Sequence, residues 1–399
     1  MLVRAAPAIA SITAIVGCCA LTSLLGCHDQ DKRAAASPSS SDAAPIDAGS
    51  PSGSASAAVA HDKVTCVDGE DGCEVVEITD RAKAELESKP GHEQQLVVFP
   101  HDTTDAQLAT VARIPWVTRL RLQFTNKVTD VSPLSSLVAL KSLRMETVYV
   151  VTLAPLRSLG ALEELVIDDV PKLTDADVGW LAGAPHLRHL ELVGLDSVRD
   201  YGALSALSSL EELHLSVHAA GATIALGKLP SLKTLHLDAP EQADLGSIAS
   251  APKLEKLTLQ GLTKVTDFRA LATLPALREL TLLKSSIKDL APIAAAKSLE
   301  ALSLPSDCPG VTNLAPLAAL TGLTALNVSG TAVKDLSPLA KLTKLVTVDV
   351  HGTAVTDLMP LAHSKDLQKV IVSPTLPEPA RDALKKALPK VVITPYLTK

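Results

Sequence analysis

The chain has 399 residues, 47% hydrophobic but only 2% aromatic, so its core must be built from Leu, Val, Ile and Ala. With 37 basic and 44 acidic residues the net charge is -7, a mixed balance that argues against nucleic-acid binding by bulk electrostatics. The scarcity of flat rings excludes base- or sugar-stacking platforms, and an aliphatic core of this kind suits small repeated layers better than one large globule.

The chain opens on Met1–Arg4, with one positive charge, and an apolar run from Ala5 to Gly26, the head and middle of a secretory signal. The run is about long enough to cross a bilayer. Its end, Leu24-Leu25-Gly26-Cys27, instead resembles the bacterial lipobox. That resemblance implies a signal peptide at 1–26, removed before Cys27, and a diacylglyceryl group on the Cys27 sulfur with acylation of the new amine. Several acyl chains, at about 0.8 kcal/mol per buried methylene, hold a protein on a membrane without spanning it. Cys18 and Cys19 would leave with the signal. His28, standing where inner-membrane lipoproteins of enteric bacteria carry Asp, implies the outer membrane or cell surface.

Residues 27–63 are dominated by Ala, Ser, Pro, Asp and Gly, with almost no large apolar side chain. Such a stretch cannot bury enough surface to offset its ordering entropy and reads as a flexible tether. Its roughly 35 residues reach about 30 Å on average. Residues 64–94 read as an N-terminal cap with a helix near Asp80 to Ser88. Within it, Cys66 and Cys73 flank the acidic turn Asp68-Gly69-Glu70-Asp71-Gly72. An exported context favours a disulfide between them over two thiols, worth about 2–3 kcal/mol for so short a loop. The turn lacks the ligand spacing of a calcium loop and reads as solvated.

From there a repeat dominates. A Leu-x-x-Leu-x-Leu core starts at Leu140, Leu162, Leu187, Leu210, Leu232, Leu254, Leu277 and Leu299, and continues at Leu323, Leu345 and Leu367 with Val replacing some leucines. Val117 begins a further copy, degenerate copies lie near Leu96 and Val391, and successive starts fall 22 to 25 residues apart. Over 95–376 this amounts to about 12–13 repeats. In the copy beginning at Leu323, alternation predicts a short strand with Leu326 and Val328 inward and Ala325 and Asn327 outward. Gly330 and Thr331 turn the chain, and Val333, Leu336, Leu339 and Leu342 return to the centre around Pro338. One coil cannot cover its own apolar face, but stacked neighbours can.

These copies resemble the internalin-type leucine-rich-repeat proteins of bacteria. The carrying residues include Val128-Thr129-Asp130-Val131-Ser132-Pro133-Leu134, Val333-Lys334-Asp335-Leu336-Ser337-Pro338-Leu339 and Val355-Thr356-Asp357-Leu358-Met359-Pro360-Leu361. The resemblance implies an α/β solenoid, a horseshoe with a concave parallel β-sheet and short helical or irregular convex segments. Two departures stand out. Thr331, Thr353 and Thr375 occupy the turn position that commonly holds an Asn ladder, and the long copy at Leu173–Ala182, with Trp180, is expected to gain a short convex helix. Residues 377–399 read as a C-terminal cap, a helix from Pro377 to Leu388 followed by Val391-Val392-Ile393.

Outward strand positions form the recognition surface of such a fold. The candidates are basic Arg119, Arg121 and Arg144, then Glu164, Glu191 and Glu212 with His214 and His236, then a neutral stretch of Thr258, Thr281, Ser303 and Asn327 leading to Asp349. Zoned charge suits a protein partner met through several patches; the opposing reading is a solvated face whose charges do nothing. His189, Glu191, Glu212, His214, His236 and Asp238 fall on three consecutive strands. Glu191, His214 and His236 share a row of zinc-binding residue types, for which an ordinary polar face is the simpler account. No nucleophile elbow, phosphate loop or metalloprotease motif occurs, and Cys308, in a turn without a matching His, reads as a buried idle thiol. The expectation is a monomeric, non-enzymatic, lipid-anchored envelope protein, periplasmic or on the surface. It would bind an unknown protein ligand on its concave face, without nucleic acid, metal or cofactor. A structural envelope component without a ligand is the alternative, and a cryptic metal-dependent enzyme a distant third.

Overall fold

A computed structural model describes residues 64–66, 73–89, 91–123, 126–304, 306 and 308–396. The signal segment, Cys27, the tether and the acidic turn between Cys66 and Cys73 lie outside the described residues. Among the described residues no helix is long and apolar enough to cross a membrane.

Each copy of the repeat makes one short strand. In β4 (Arg119–Gln123) Leu120 and Leu122 are buried while Arg119, Arg121 and Gln123 reach the other face, as alternation requires. The pattern continues in β5 (Ser142–Glu146), β6 (Glu164–Asp168), β7 (His189–Val193), β8 (Glu212–Ser216), β9 (Thr234–Asp238), β10 (Lys256–Gln260) and β11 (Glu279–Leu283). Shorter strands follow in β12 (Ala301–Ser303), β13 (Ala325–Asn327) and β14 (Thr347–Asp349), then β15 (Lys369–Val372). At the start lie β1 (Val64–Cys66), β2 (Cys73–Val75) and β3 (Leu96–Phe99), and at the end β16 (Val392–Pro395). All sixteen form one open sheet in chain order, parallel throughout except for the antiparallel pair β1–β2. In register, Leu120, Leu143, Leu165, Leu190, Leu213 and Leu235 make one continuous inward column. Each fully buried leucine contributes about 1.5–3 kcal/mol, and each needs both neighbouring coils to be covered.

Most coils return from the sheet edge through a 3-10 turn, such as Ser132–Ser136, Ser337–Lys341 and Met359–His363, each with proline at its start. The aspartate two residues ahead explains the recurring Asp-x-x-Pro pattern. Asp130 Oδ1 accepts from Ser132 N, Asp335 Oδ1 from Ser337 N and Asp357 Oδ1 from Met359 N, each at 2.8 Å. A side-chain acceptor there satisfies a backbone donor that the proline-led turn leaves open.

The long copy does gain a helix, Asp175–Gly179. Its Asp177 carboxylate accepts from Thr174 N at 3.0 Å and reaches back to Leu153 N of the preceding coil at 2.9 Å. A sister helix at Asp105–Leu108 was not anticipated, although Thr104-Asp105-Ala106 matches Thr174-Asp175-Ala176 and is capped the same way by Gln107.

The residue after the strand is often left-handed. Glycine supplies it at Gly194 after β7, where a Cβ would come within 2.9 Å of the Asp169 Cα, but Thr147, Asp169 and Lys284 adopt it with φ of 50°, 55° and 48°. At the N-terminal end α1 (Asp80–Glu87), capped by Thr79, buries Ala82 and Leu86; at the other, α2 (Glu378–Ala387) buries Leu384 against the last coil. Ala325 stands in the outward column as expected, in register with Ala301 and Thr347, yet is only 5% exposed because its methyl does not rise past its neighbours.

Candidate binding face

The outward side chains stand in three straight columns. The central column runs Val98, Arg121, Arg144, Val166, Glu191, His214, His236, Thr258, Thr281, Ser303, Asn327 and Asp349. The register brings together every expected row, including Glu191, His214 and His236. It does not produce charge zones.

Arg121 and Arg144 lie directly opposite each other, which would be unfavourable alone. Each is answered diagonally by a carboxylate of the next strand. Arg121 Nη2 donates to Glu146 Oε2 at 2.6 Å, and Arg144 donates to Glu164 Oε1 through Nε at 3.0 Å and Nη2 at 2.6 Å. Burial raises the Glu164 pKa, but hydrogen bonds from Ser142 and Arg144 outweigh it and leave the carboxyl below its ordinary value. Further along, His189 Nδ1 lies 3.0 Å from Glu212 Oε2 and His214 Nδ1 3.0 Å from Glu191 Oε1. The basic and acidic zones read from the sequence are thus interleaved pairs, because each of these Arg and His side chains meets a carboxylate on an adjacent strand. Arg119, exposed, takes part in no ion pair among the described residues.

The histidine row packs rather than converges. The rings of His214 and His236 are 4.2 Å apart and tilted by 49°. Burial, then the neighbouring His214, pushes His236 down from 6.5 to about 4, so it stays neutral across the physiological range. Asp238 is engaged by Gln260 Nε2 at 2.9 Å and His218 Nε2 at 3.4 Å. Among the described residues no group of three His, Cys, Asp or Glu side chains is placed to hold a metal ion. Cys308 is buried, with its thiol donating to the carbonyls of Ser285 at 3.3 Å and Ile287 at 3.2 Å.

In the neutral stretch Thr258 and Ser303 are half-buried and Thr281 is buried. Asn327 and Asp349, expected to face a ligand, turn back on their own strands. Asn327 Oδ1 accepts from Ser329 N at 2.9 Å and Asp349 Oδ1 from His351 N at 3.0 Å. His351 in turn stacks on Tyr396 at 4.0 Å.

Several residues of the face escaped the sequence reading. Val98 and Val166 are apolar points on the concave side, 6% and 4% exposed. Glu146 and Asp168 belong to the third outward column, of which the sequence reading had named only Asp238. Burial raises the Asp168 pKa, helped by Glu191, Asp169 and Glu146. At the strand-entry side a groove of about 830 Å³ runs past Arg119, Arg144, Glu164, His189 and Glu212. Its lining is charged and open, unlike the apolar concavity of a small-molecule site.

No protein-family model and no curated protein matches the sequence. Solved structures do. An internalin (InlF) of Listeria monocytogenes superposes with a TM-score of 0.56 at 23% identity, covering 79% of this chain and 84% of the internalin. A leucine-rich-repeat protein of Leptospira interrogans gives 0.56 at 17%, covering 80% of this chain and 93% of that one. TLR13 in its complex with ssRNA13 gives 0.53 at 16%, covering 75% of this chain and 50% of the receptor. The fold is a leucine-rich-repeat solenoid. At these identities the likeness concerns the stacked-coil architecture, and the leucine-rich-repeat face must be judged on its own side chains.

Proposed function

We propose that this leucine-rich-repeat protein is membrane-anchored, binds a protein ligand on its concave sheet and catalyses no reaction. One observation carries the reading: from β4 to β11 the outward side chains stand in strict register on a parallel sheet. A rigid lattice of this kind recognises a partner over a long contact without a pocket, and its specificity comes from matched charges and apolar points. Arg119, Glu212, His236 and Thr258 are the side chains we assign to ligand contact. Neither nucleic acid nor a cofactor is needed.

The anchoring half rests on Leu24-Leu25-Gly26-Cys27, with acylation at Cys27, a tether over 27–63 and placement at the outer membrane or cell surface. Caps at 64–94 and 377–399 would close the repeats of 95–376. In the β1–β2 pair Cys66 is the register partner of Cys73. Directly opposed Cα atoms of an antiparallel pair lie about 4.5–5.5 Å apart, within disulfide reach, which supports the Cys66–Cys73 bridge. A ligand-free structural role is the second reading, favoured by the internal pairing of Arg121, Arg144 and His214.

The test places a photo-crosslinking residue at Thr258 on the concave face or at exposed Ser135 on the opposite side, in the full chain in its native envelope. A discrete protein adduct from position 258 and none from 135 is expected. Adducts only from 135, or from neither, would move the binding site or favour the structural reading. In parallel, Cys27→Ala should leave uncleaved precursor that no longer incorporates labelled fatty acid; unchanged incorporation would refute the anchor.

A further inference from the structure

The residue immediately before each concave strand forms a fourth column, at the strand-entry rim. Its members are joined by a backbone ladder in which the N–H of one donates to the carbonyl of the previous at 2.8 Å: Glu163 to Lys141, Arg188 to Glu163, Glu211 to Arg188, Lys233 to Glu211, Glu255 to Lys233, Arg278 to Glu255 and Glu300 to Arg278. Read along the rim, the sign alternates without a fault across these coils. Uncharged Thr118 precedes the series and uncharged Thr324 follows it. Lys141 pairs with Glu163 at 2.9 Å, Arg188 and Lys233 both with Glu211 at 3.3 and 2.5 Å, and Arg278 with Glu300 at 2.5 Å. These side chains remain 31% to 64% exposed, so the internal pairs leave the rim open to a partner.

A series that begins with a cation, ends with an anion and alternates between has a particular symmetry. Rotated by half a turn about a point between Glu211 and Lys233, it presents an opposite charge at every position. Lys141 meets Glu300, Glu163 meets Arg278, Arg188 meets Glu255, Glu211 meets Lys233, and Thr118 meets Thr324. A half-turn about a radial axis also lays one arc of coils on another, so curvature does not spoil the match. Beside the ladder, a shallow cleft of about 540 Å³ includes Gly160, Ala161 and Ser209, small residues that let a second rim approach.

We propose that two copies of this chain associate rim to rim, antiparallel, through this ladder. The interface is isologous: each contact occurs twice, and every charge gains an opposite neighbour across the dyad as well as along its own rim. Slipping one copy by a single coil, about 4.8 Å, would bring like charges together at every rung, so the register is enforced by repulsion as much as attraction. Because opposite charges about 4.8 Å apart cancel at a distance, the rim does not steer at long range, and its contacts act only on close approach. This departs from the monomer expected from the sequence. It does not require a ligand on the concave sheet, although the rim residues Lys141, Glu163, Arg188 and Glu211 line the same groove as Arg119 and Glu212 of the face.

The diagnostic is chemical. Within one chain Lys141 and Glu300 are seven strand steps apart, roughly 30 Å, beyond the reach of a zero-length cross-link. Purified full chain should show a concentration-dependent dimer whose Kd weakens at least about ten-fold on raising salt well above physiological strength, as exposed charge pairs do. Carbodiimide treatment of that dimer should yield a Lys141–Glu300 amide. Lys233→Glu, which faces Glu211 across the axis twice, should weaken the dimer about ten-fold or more. The double exchange Glu211→Lys with Lys233→Glu should restore self-association, while mixtures with the unaltered chain should hold the two homodimers and no mixed dimer. A monomer at all concentrations in low salt, a dimer indifferent to salt, or a dimer lacking the Lys141–Glu300 adduct would each overturn the proposal.

Discussion

His236 sits in the middle of the concave face with His214 on one side and Thr258 on the other, and with Asp238, Glu191 and His218 as the charged or titratable groups near it. Its folded-state value of about 4 lies below the unfolded 6.5, so the native state holds the neutral ring. Between those values the unfolded chain binds the proton and the native chain does not, and stability therefore rises with pH across the window. The loss on acidification to pH 4 is of order 2 kcal/mol after discounting for residual exposure. Unfolding measured at pH 7 and 4.5 should show a smaller pH penalty for His236→Leu than for the unaltered chain; equal penalties would mean that the ring is solvated. Sequence reading found this row because parity places every second residue of a strand on one face. It could not see which carboxylate each cation would choose. Arg144 takes Glu164, which also accepts from the Ser142 hydroxyl, while Glu146 is held by Arg121, and strand spacing alone does not fix that division.

At the scale of the strand, Leu326 and Asn327 give the sharpest contrast. Leu326 is buried between Leu302 and Val348 of the adjoining coils. Leu326→Asp would place an unpaired charge in that layer and cost several kcal/mol or neutralise the carboxyl. Asn327→Asp keeps the acceptor used by Ser329 N, and Asp349 already does the same task one coil later, so its cost should be under about 0.5 kcal/mol. Thermal unfolding of the two variants decides it, and equal midpoints would contradict the strand register. Elements of this length are legible when their period is strict. The helix at Asp105–Leu108 was not, because four residues carry no period. Only comparison of Thr104-Asp105-Ala106 with Thr174-Asp175-Ala176 would have exposed it.

For the molecule as a whole, stability is a sum of coils and of the interfaces between neighbours, and an unprotected end lets unfolding travel inward. Leu384 of α2 is fully buried and belongs to the cover of the last coil. Leu384→Asp should lower hydrogen-exchange protection in β13 to β15 while β4 to β6 keep theirs; a uniform drop along the sheet would show a single cooperative unit instead. The stacking itself was legible, since a leucine period sustained from Val117 to Leu367 admits few other architectures. The covers were legible only as amphipathic patches, because each occurs once and nothing repeats to confirm it.

The sign-alternating rim bears on how such a chain can change length. Its inward leucine columns accept another coil almost anywhere, so unequal recombination between repeats could lengthen or shorten the stack with little harm to the interior. The rim is less forgiving. Duplicating one coil sets two like charges side by side and shifts the phase of everything beyond, whereas duplicating two adjacent coils leaves the alternation intact. Where the rim is under selection, descendants of this gene should differ in coil number by even steps.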